Sequence, residues 1–146
     1  PDYRAKSADY ELLQALSKDE LGVVEKLLKP CSFRPGQKII NAGDDAREMF
    51  FLVRGHVSVL LPGEDRHRLA TFSPGMSLGE MALLDGAPRS ADIVADSEVE
   101  CHLLPLKDFQ ALGETHPAIK IKILAKLCLD LTGKIRKANR ELSVFE

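Results

Sequence analysis

A chain of 146 residues, 45% hydrophobic and 29% charged, suits one soluble globular domain with a core of its own and not a disordered segment. A net charge of −2 gives no broad basic face of the kind nucleic acid requires, and no apolar run approaches the ~20 residues of a membrane span. The chain opens on Pro1 rather than Met and shows no secretory leader pattern, so the expectation is a cytoplasmic domain, processed or cut from a longer protein.

The order along the chain is helices, strands, helices. N-terminal helices are expected over residues 1–30, a β-roll over 31–104 and C-terminal helices over 105–146. A short helix is expected from Tyr10 to Leu16. Ser17-Lys18-Asp19-Glu20 is a capping box, with the serine at N-cap and the glutamate three residues on. Leu21, Val24, Leu27 and Leu28 follow at helical spacing, and Pro30 is expected to end that helix.

From Phe33 to Leu104 turn signals recur: Pro35-Gly36, Gly43-Asp44-Asp45, Arg54-Gly55, Pro62-Gly63, Ser73-Pro74-Gly75, Asp85-Gly86 and Asp96-Ser97. Strand-like runs lie between them. Met49 to Val53 is apolar throughout, Ile93-Val94 belongs to another run, and Val57-Ser58-Val59 and Val99-Glu100-Cys101-His102-Leu103 alternate. Short antiparallel strands at this spacing predict a jelly-roll, a double-stranded β-helix. With the flanking helices the fold class is α+β.

After Pro105 the helical period returns, with a short helix over Asp108 to Leu112 and then a long one. Thr115 is expected to cap the long helix, with Pro117 in its first turn. Ile121, Leu124, Cys128, Leu131, Ile135, Ala138 and Leu142 recur at steps of three and four, a heptad seam. Such a stripe packs on the chain's own sheets, or on a second copy in a homodimer, or divides between the two. Gly133 inside this helix is a candidate point of bending or fraying. The basic cluster Lys134, Arg136, Lys137, Arg140 suits the negative end of a helix dipole.

The three cysteines, Cys31, Cys101 and Cys128, are odd in number and widely spaced, with no CxxC pair. No zinc or iron–sulfur site is expected. Cys101 and Cys128 occupy apolar positions and are predicted to be buried free thiols, which fits a reducing compartment. His56, His67, His102 and His116 are scattered, unlike the paired histidines of a cupin metal site. No cofactor and no enzymatic activity are expected.

Ser73 to Asp92 carries the chemistry: SPGMSLGEMALLDGAPRSAD. It reads as a turn, a glycine, a helix of about a turn and a half opening at that glycine, a loop, and an arginine entering a strand. Free N–H groups at such a helix start attract an anion. Glycine permits close backbone approach. An arginine fork fits two phosphate oxygens, and a carboxylate accepts from a sugar hydroxyl. Glu80 and Arg89 together would hold a ribose phosphate. Two plainer readings stand beside this one: Ser77-Leu78-Gly79-Glu80 as a capping box, and Arg89 as a surface ion-pair residue.

The segment Gly79-Glu80-Met81-Ala82-Leu83, followed by Arg89-Ser90-Ala91, resembles the phosphate-binding cassette of the cyclic-nucleotide-binding domain family. That family includes the bacterial catabolite activator protein, the kinase regulatory subunits and the cyclic-nucleotide-gated channels. Gly36, Gly43, Gly55 and Gly75 also fall where the family has glycines, and the resemblance covers about Leu21 to Leu142, with the cassette at 75–92. It implies a non-catalytic module whose ligand is cAMP or cGMP, cAMP slightly favoured because Ser90 matches the Arg-Ser form of the catabolite activator. By the same resemblance Glu80 would accept the ribose 2′-OH and Arg89 would pair with the cyclic phosphate. Backbone N–H groups near Ala82 and Ala91 and the Ser90 hydroxyl would complete the anion site. Val59 and Phe72 could wall the base, and Asp130 and Lys134 on the last helix could close over it. The last helix would transmit occupancy to an effector upstream or on another chain. Only Ser143-Val144-Phe145-Glu146 follow that helix, so no helix-turn-helix is expected here, nor contact with nucleic acid or membrane by this chain. The alternative is a nucleotide-independent scaffold or dimerisation domain of the same fold.

Overall fold

The β-roll is built from eight strands among the residues that the computed structural model describes, 4–61 and 68–143. Pro1, the Pro62-Gly63 turn signal, His67 and the last three residues lie outside that range. The strands are β1 (Lys29–Phe33), β2 (Lys38–Ile40), β3 (Glu48–Arg54), β4 (Val57–Leu60), β5 (Arg68–Phe72), β6 (Ser77–Leu78), β7 (Asp92–Ala95) and β8 (Val99–Pro105). They form two four-stranded antiparallel sheets, ordered β1-β8-β3-β6 and β2-β7-β4-β5. The architecture is the expected α+β jelly-roll with N-terminal helical turns and a long C-terminal helix.

The uniformly apolar run in β3 has a structural cause. Successive strand residues point to opposite faces, and both faces of β3 are covered. Phe50 and Leu52 enter the core between the sheets with Val57, Leu78 and Ile93. Met49, Phe51 and Val53 enter a second core beneath the helices, with Leu104, Phe109, Ile119, Ile123 and Leu127. A strand buried on both sides has no polar face to alternate with.

Helix α1 (Lys18–Glu25) starts as expected, with the Ser17 amide donating to Glu20 Oε1 at 2.9 Å and the Glu20 amide donating to Ser17 Oγ at 3.2 Å. It ends at Glu25, and Pro30 lies within β1 instead of terminating the helix. The helix expected over Tyr10 to Leu16 is replaced by two 3₁₀ turns, Ser7–Asp9 and Glu11–Leu13. Tyr10 between them is extended, because its ring is drawn into the core. It stacks on Phe51 with centroids 4.7 Å apart, and its hydroxyl meets His102 Nδ1 at 2.6 Å.

The one-turn α2 (Ala82–Asp85) lies in the cassette, and α3 (Leu106–Thr115) extends the short helix expected after Pro105. The long α4 (Pro117–Ser143) begins at Pro117, but Thr115 is not its cap. Thr115 is the last residue of α3 and donates its hydroxyl back to the Ala111 carbonyl at 3.3 Å. The carbonyl of His116 takes the first bonds of α4, from the amides of Ile119 and Lys120.

The buried face of α4 also differs from the heptad seam. Ile119, Ile123 and Leu127 are buried, and of the seam only Leu124 and Leu131 pack against that core. Ile121, Cys128, Ile135, Ala138 and Leu142 are exposed. Cys128 is therefore not a buried thiol, whereas Cys101 is. The helix carries two neighbouring apolar stripes, and a seven-residue period does not say which one meets the sheets. Gly133 does not interrupt the helix. No helix among the described residues is long and apolar enough to cross a membrane.

Candidate functional site

The cassette begins where β6 ends. Gly79 has φ +72°, a left-handed conformation that glycine adopts without a Cβ penalty. The chain then enters α2, which opens at Ala82 and not at the glycine, and which Gly86 ends with φ +61°. The helix is one turn long because the left-handed Gly86 stops it after Asp85. Ser77 belongs to β6, so the capping-box reading of Ser77 and Glu80 is not realised.

Arg89 is anchored at both ends. Its amide donates to the Asp44 carbonyl and its carbonyl accepts from the Gly43 amide, each at 2.8 Å. Its Nη1 donates to the Gly79 carbonyl at 3.0 Å, and its Nη2 donates to the Glu48 carbonyl. The turn at Gly43-Asp44 and the start of β3 thus hold a half-buried guanidinium against the cassette. Burial lowers its pKa, against the opposing influence of Glu48 and Glu80, and a guanidinium still keeps its charge. These bonds go to backbone carbonyls, so the side chain is aimed inward and does not serve as a surface ion-pair residue.

Glu80 complements it. Its Oε2 is buried without a hydrogen-bond partner among the described residues. Burial raises its pKa; its own backbone amide, Lys134 and the Ser77 hydroxyl counter this, and Asp130 adds to it. A buried acceptor without a donor costs ~1–3 kcal/mol, which a ligand hydroxyl placed there would offset.

Both side chains face one cavity of about 290 Å³, close to the lower end of the ~300–1,000 Å³ range of small-molecule sites. Gly79, Glu80, Met81, Ala82, Arg89, Ser90 and Ala91 line it, together with Val59, Phe72 and Lys134. Every residue expected at the site is therefore gathered here except Asp130. That residue lies in an adjoining cleft of about 240 Å³, which also touches Glu80, Phe72 and Lys134. The apolar wall is completed by Ile40, Leu78 and Ile93, which the sequence reading did not single out. An apolar residue in a strand carries no sign, in sequence, of whether it faces a core or a cavity. The carbonyls of Asp44 and Glu48, which position Arg89, were also missed, since a carbonyl has no sequence signature. The arrangement offers an anion-binding fork, a buried acceptor and an apolar slot within one hollow.

Comparison with known proteins bears on the family and the fold. The model of the cyclic nucleotide-binding domain matches residues 30–116. Glutaminase 1 of Bradyrhizobium diazoefficiens is 39% identical over 138 residues, which are 94% of this chain and 22% of that protein. A cyclic nucleotide-gated potassium channel of Mesorhizobium japonicum is 34% identical over 127 residues, 87% of this chain and 34% of the channel. The chain thus spans only about a fifth to a third of these relatives. Among solved structures, the Thermus thermophilus catabolite activator protein superposes with a TM-score of 0.80 at 26% identity, over 92% of this chain and 62% of that one. A cyclic nucleotide-binding domain from Methylobacillus flagellatus superposes with a TM-score of 0.82 at 20% identity, over all of this chain and 89% of the other. With the family model covering more than half of its length, the chain belongs to the cyclic nucleotide-binding domain family.

Proposed function

We propose that this chain is a regulatory sensor of a cyclic nucleotide, and that it carries no catalysis itself. The observation that supports this best is the pairing, on one cavity, of a buried Glu80 oxygen that has no donor among the described residues with a half-buried Arg89 guanidinium. A cyclic ribose phosphate carries the matching hydroxyl and anion in one rigid unit. In this reading Glu80 accepts the ribose 2′-OH and Arg89 pairs with the cyclic phosphate. The Ser90 hydroxyl and the amides of Ala82 and Ala91 complete the anion site, with Gly79 and Met81 shaping the approach. Val59 and Phe72 border the base. Lys134 and Asp130 bring α4 to the rim, so that occupancy alters how that helix sits. The ligand is cAMP or cGMP, with cAMP slightly favoured by the likeness of Arg89-Ser90 to the catabolite activator, although the Ser90 hydroxyl could also bond a guanine amino group.

The effector belongs to a longer chain or to a separate one. The glutaminase and the channel are relatives in which a domain of this kind forms a minor part, and an enzyme or transport unit controlled in the cytoplasm fits that pattern. A second reading keeps the fold without the ligand. A similar fold, with a TM-score of 0.71 at 24% identity, is found in the regulatory subunit of a cAMP-independent protein kinase A from Trypanosoma brucei.

Calorimetric titration of the chain with cAMP and cGMP, beside Arg89→Leu, separates the two. Saturable binding that the variant weakens by ~2–5 kcal/mol supports the sensor and identifies its base. Absence of heat and of thermal shift with both nucleotides supports the scaffold.

A further inference from the structure

Cys31 and Cys101 are 70 residues apart in sequence and directly opposite each other in the antiparallel pairing of β1 with β8. Directly opposed residues of an antiparallel pair have Cα atoms ~4.5 or ~5.5 Å apart. Both spacings fall within the ~4.4–6.8 Å that a disulfide spans. The two side chains share a face, since Cys101 lies in the inter-sheet core and Cys31 packs against that core. The Cys31 sulfur is 3.7 Å from the Cys101 carbonyl oxygen. Accessibility is unequal: Cys101 is 1% exposed and Cys31 is half-buried. An oxidant therefore meets Cys31 first. The contact with Cys31, together with burial, pushes the Cys101 thiol up.

We propose that Cys31 and Cys101 are a reversible oxidation site, closing a cross-strand disulfide between β1 and β8 when the chain meets a peroxide. The Cys31 thiolate attacks one peroxide oxygen, and the O–O bond breaks. Cys31 becomes a sulfenic acid and the other oxygen leaves as water after taking up a proton. The Cys101 sulfur then attacks the Cys31 sulfur, the S–O bond breaks, and the hydroxyl leaves as a second water with the Cys101 proton. Two thiols and one peroxide give one disulfide and two waters, with two electrons passing from sulfur to oxygen.

The bond would fasten a strand at the edge of its sheet. β1 is also the strand that follows α1, and α1 is tied to α4 by Glu20 and Lys122, 2.6 Å apart. Oxidation would thus brace the N-terminal layer against the roll without touching the cassette.

The test uses the whole chain with Cys128→Ser, which removes the exposed third thiol. The reduced protein is treated with hydrogen peroxide, unfolded, alkylated and digested. The expected product is one cross-linked peptide pair containing Cys31 and Cys101, two hydrogens lighter than the separate peptides. The melting temperature should rise by roughly 5–15 °C, and dithiothreitol should reverse both changes. Amide exchange across Lys29–Phe33 should slow. Two results would overturn the proposal. One is alkylation of both cysteines after peroxide; the other is a sulfinic Cys31 beside an alkylated Cys101. In the Cys31→Ser, Cys128→Ser chain Cys101 should remain alkylatable, and its oxidation there would also count against the pair.

Discussion

The guanidinium of Arg89 donates to the carbonyl of Gly79 across ten residues of cassette, at 3.0 Å. A Cβ built on Gly79 would overlap Nη1 of that arginine and approach Ile40 Cδ1 at 3.0 Å. The backbone there is also left-handed, with φ +72°. The glycine is needed both for its dihedral and for the space that the arginine fills.

Gly79→Ala should therefore act on ligand binding through Arg89. We expect a loss of ~1–2 kcal/mol in stability from the left-handed backbone alone, and at least a ~10-fold weaker affinity for the preferred cyclic nucleotide, since the fork is displaced. Thermal melts and calorimetry measure the two separately. An affinity equal to the parent's would show that the Gly79–Arg89 contact does not set the fork.

Glu80 should leave a signature in the pH dependence of the ligand-free chain. Its pKa is raised by burial, so the folded chain holds this proton more tightly than the unfolded chain. Its contribution to stability is full below the unfolded carboxylate range and is lost as pH rises through the folded value. Glu80→Gln cannot ionise. It should exceed the parent by ~1 kcal/mol at pH 8, where only the parent buries an ionised carboxylate, and show no advantage at pH 4. Melting curves across that range check this, and the same variant should bind cyclic nucleotide more weakly.

Two other glycines should respond in opposite directions. At Gly55, φ is +97° and a Cβ would overlap the Glu98 carbonyl oxygen. Gly55→Ala should cost at least ~2 kcal/mol, from a left-handed backbone and a backbone clash. Gly133 is helical, with nothing within 4 Å of a Cβ, so Gly133→Ala should stabilise by up to ~1 kcal/mol. Urea titrations give both values. If Gly133→Ala instead leaves stability unchanged, the end of α4 frays and its propensity does not count.

The exposed stripe on α4 makes a prediction about association. Ile121, Ile135 and Leu142 are 65%, 61% and 66% exposed at heptad-related positions, facing away from the chain's own core. Pairing of two copies along this seam would bury them. Ile135→Glu should weaken such a dimer at least ~10-fold and leave the melting temperature of the monomer within ~2 °C, as for a surface change. Sedimentation equilibrium decides it. A parent chain that stays monomeric at high concentration would show the seam to be solvated in this protein.

What could be read from sequence was local. The Ser17–Glu20 box, the apolar run of β3 and the turn glycines involve residues within a few positions of one another, and the spacing from Gly79 to Arg89 spans ten. Backbone sterics, hydrogen-bond reach and side-chain period act at that range. The tertiary structure decided what depends on partners distant in sequence. It brought the carbonyls of Asp44 and Glu48 to Arg89, pulled Tyr10 out of a helix and onto Phe51, and set Cys31 opposite Cys101. It also chose which of two stripes on α4 faces the core. A periodic pattern states that a face is apolar, but only packing selects its partner, because burial rewards contact area without regard to sequence distance.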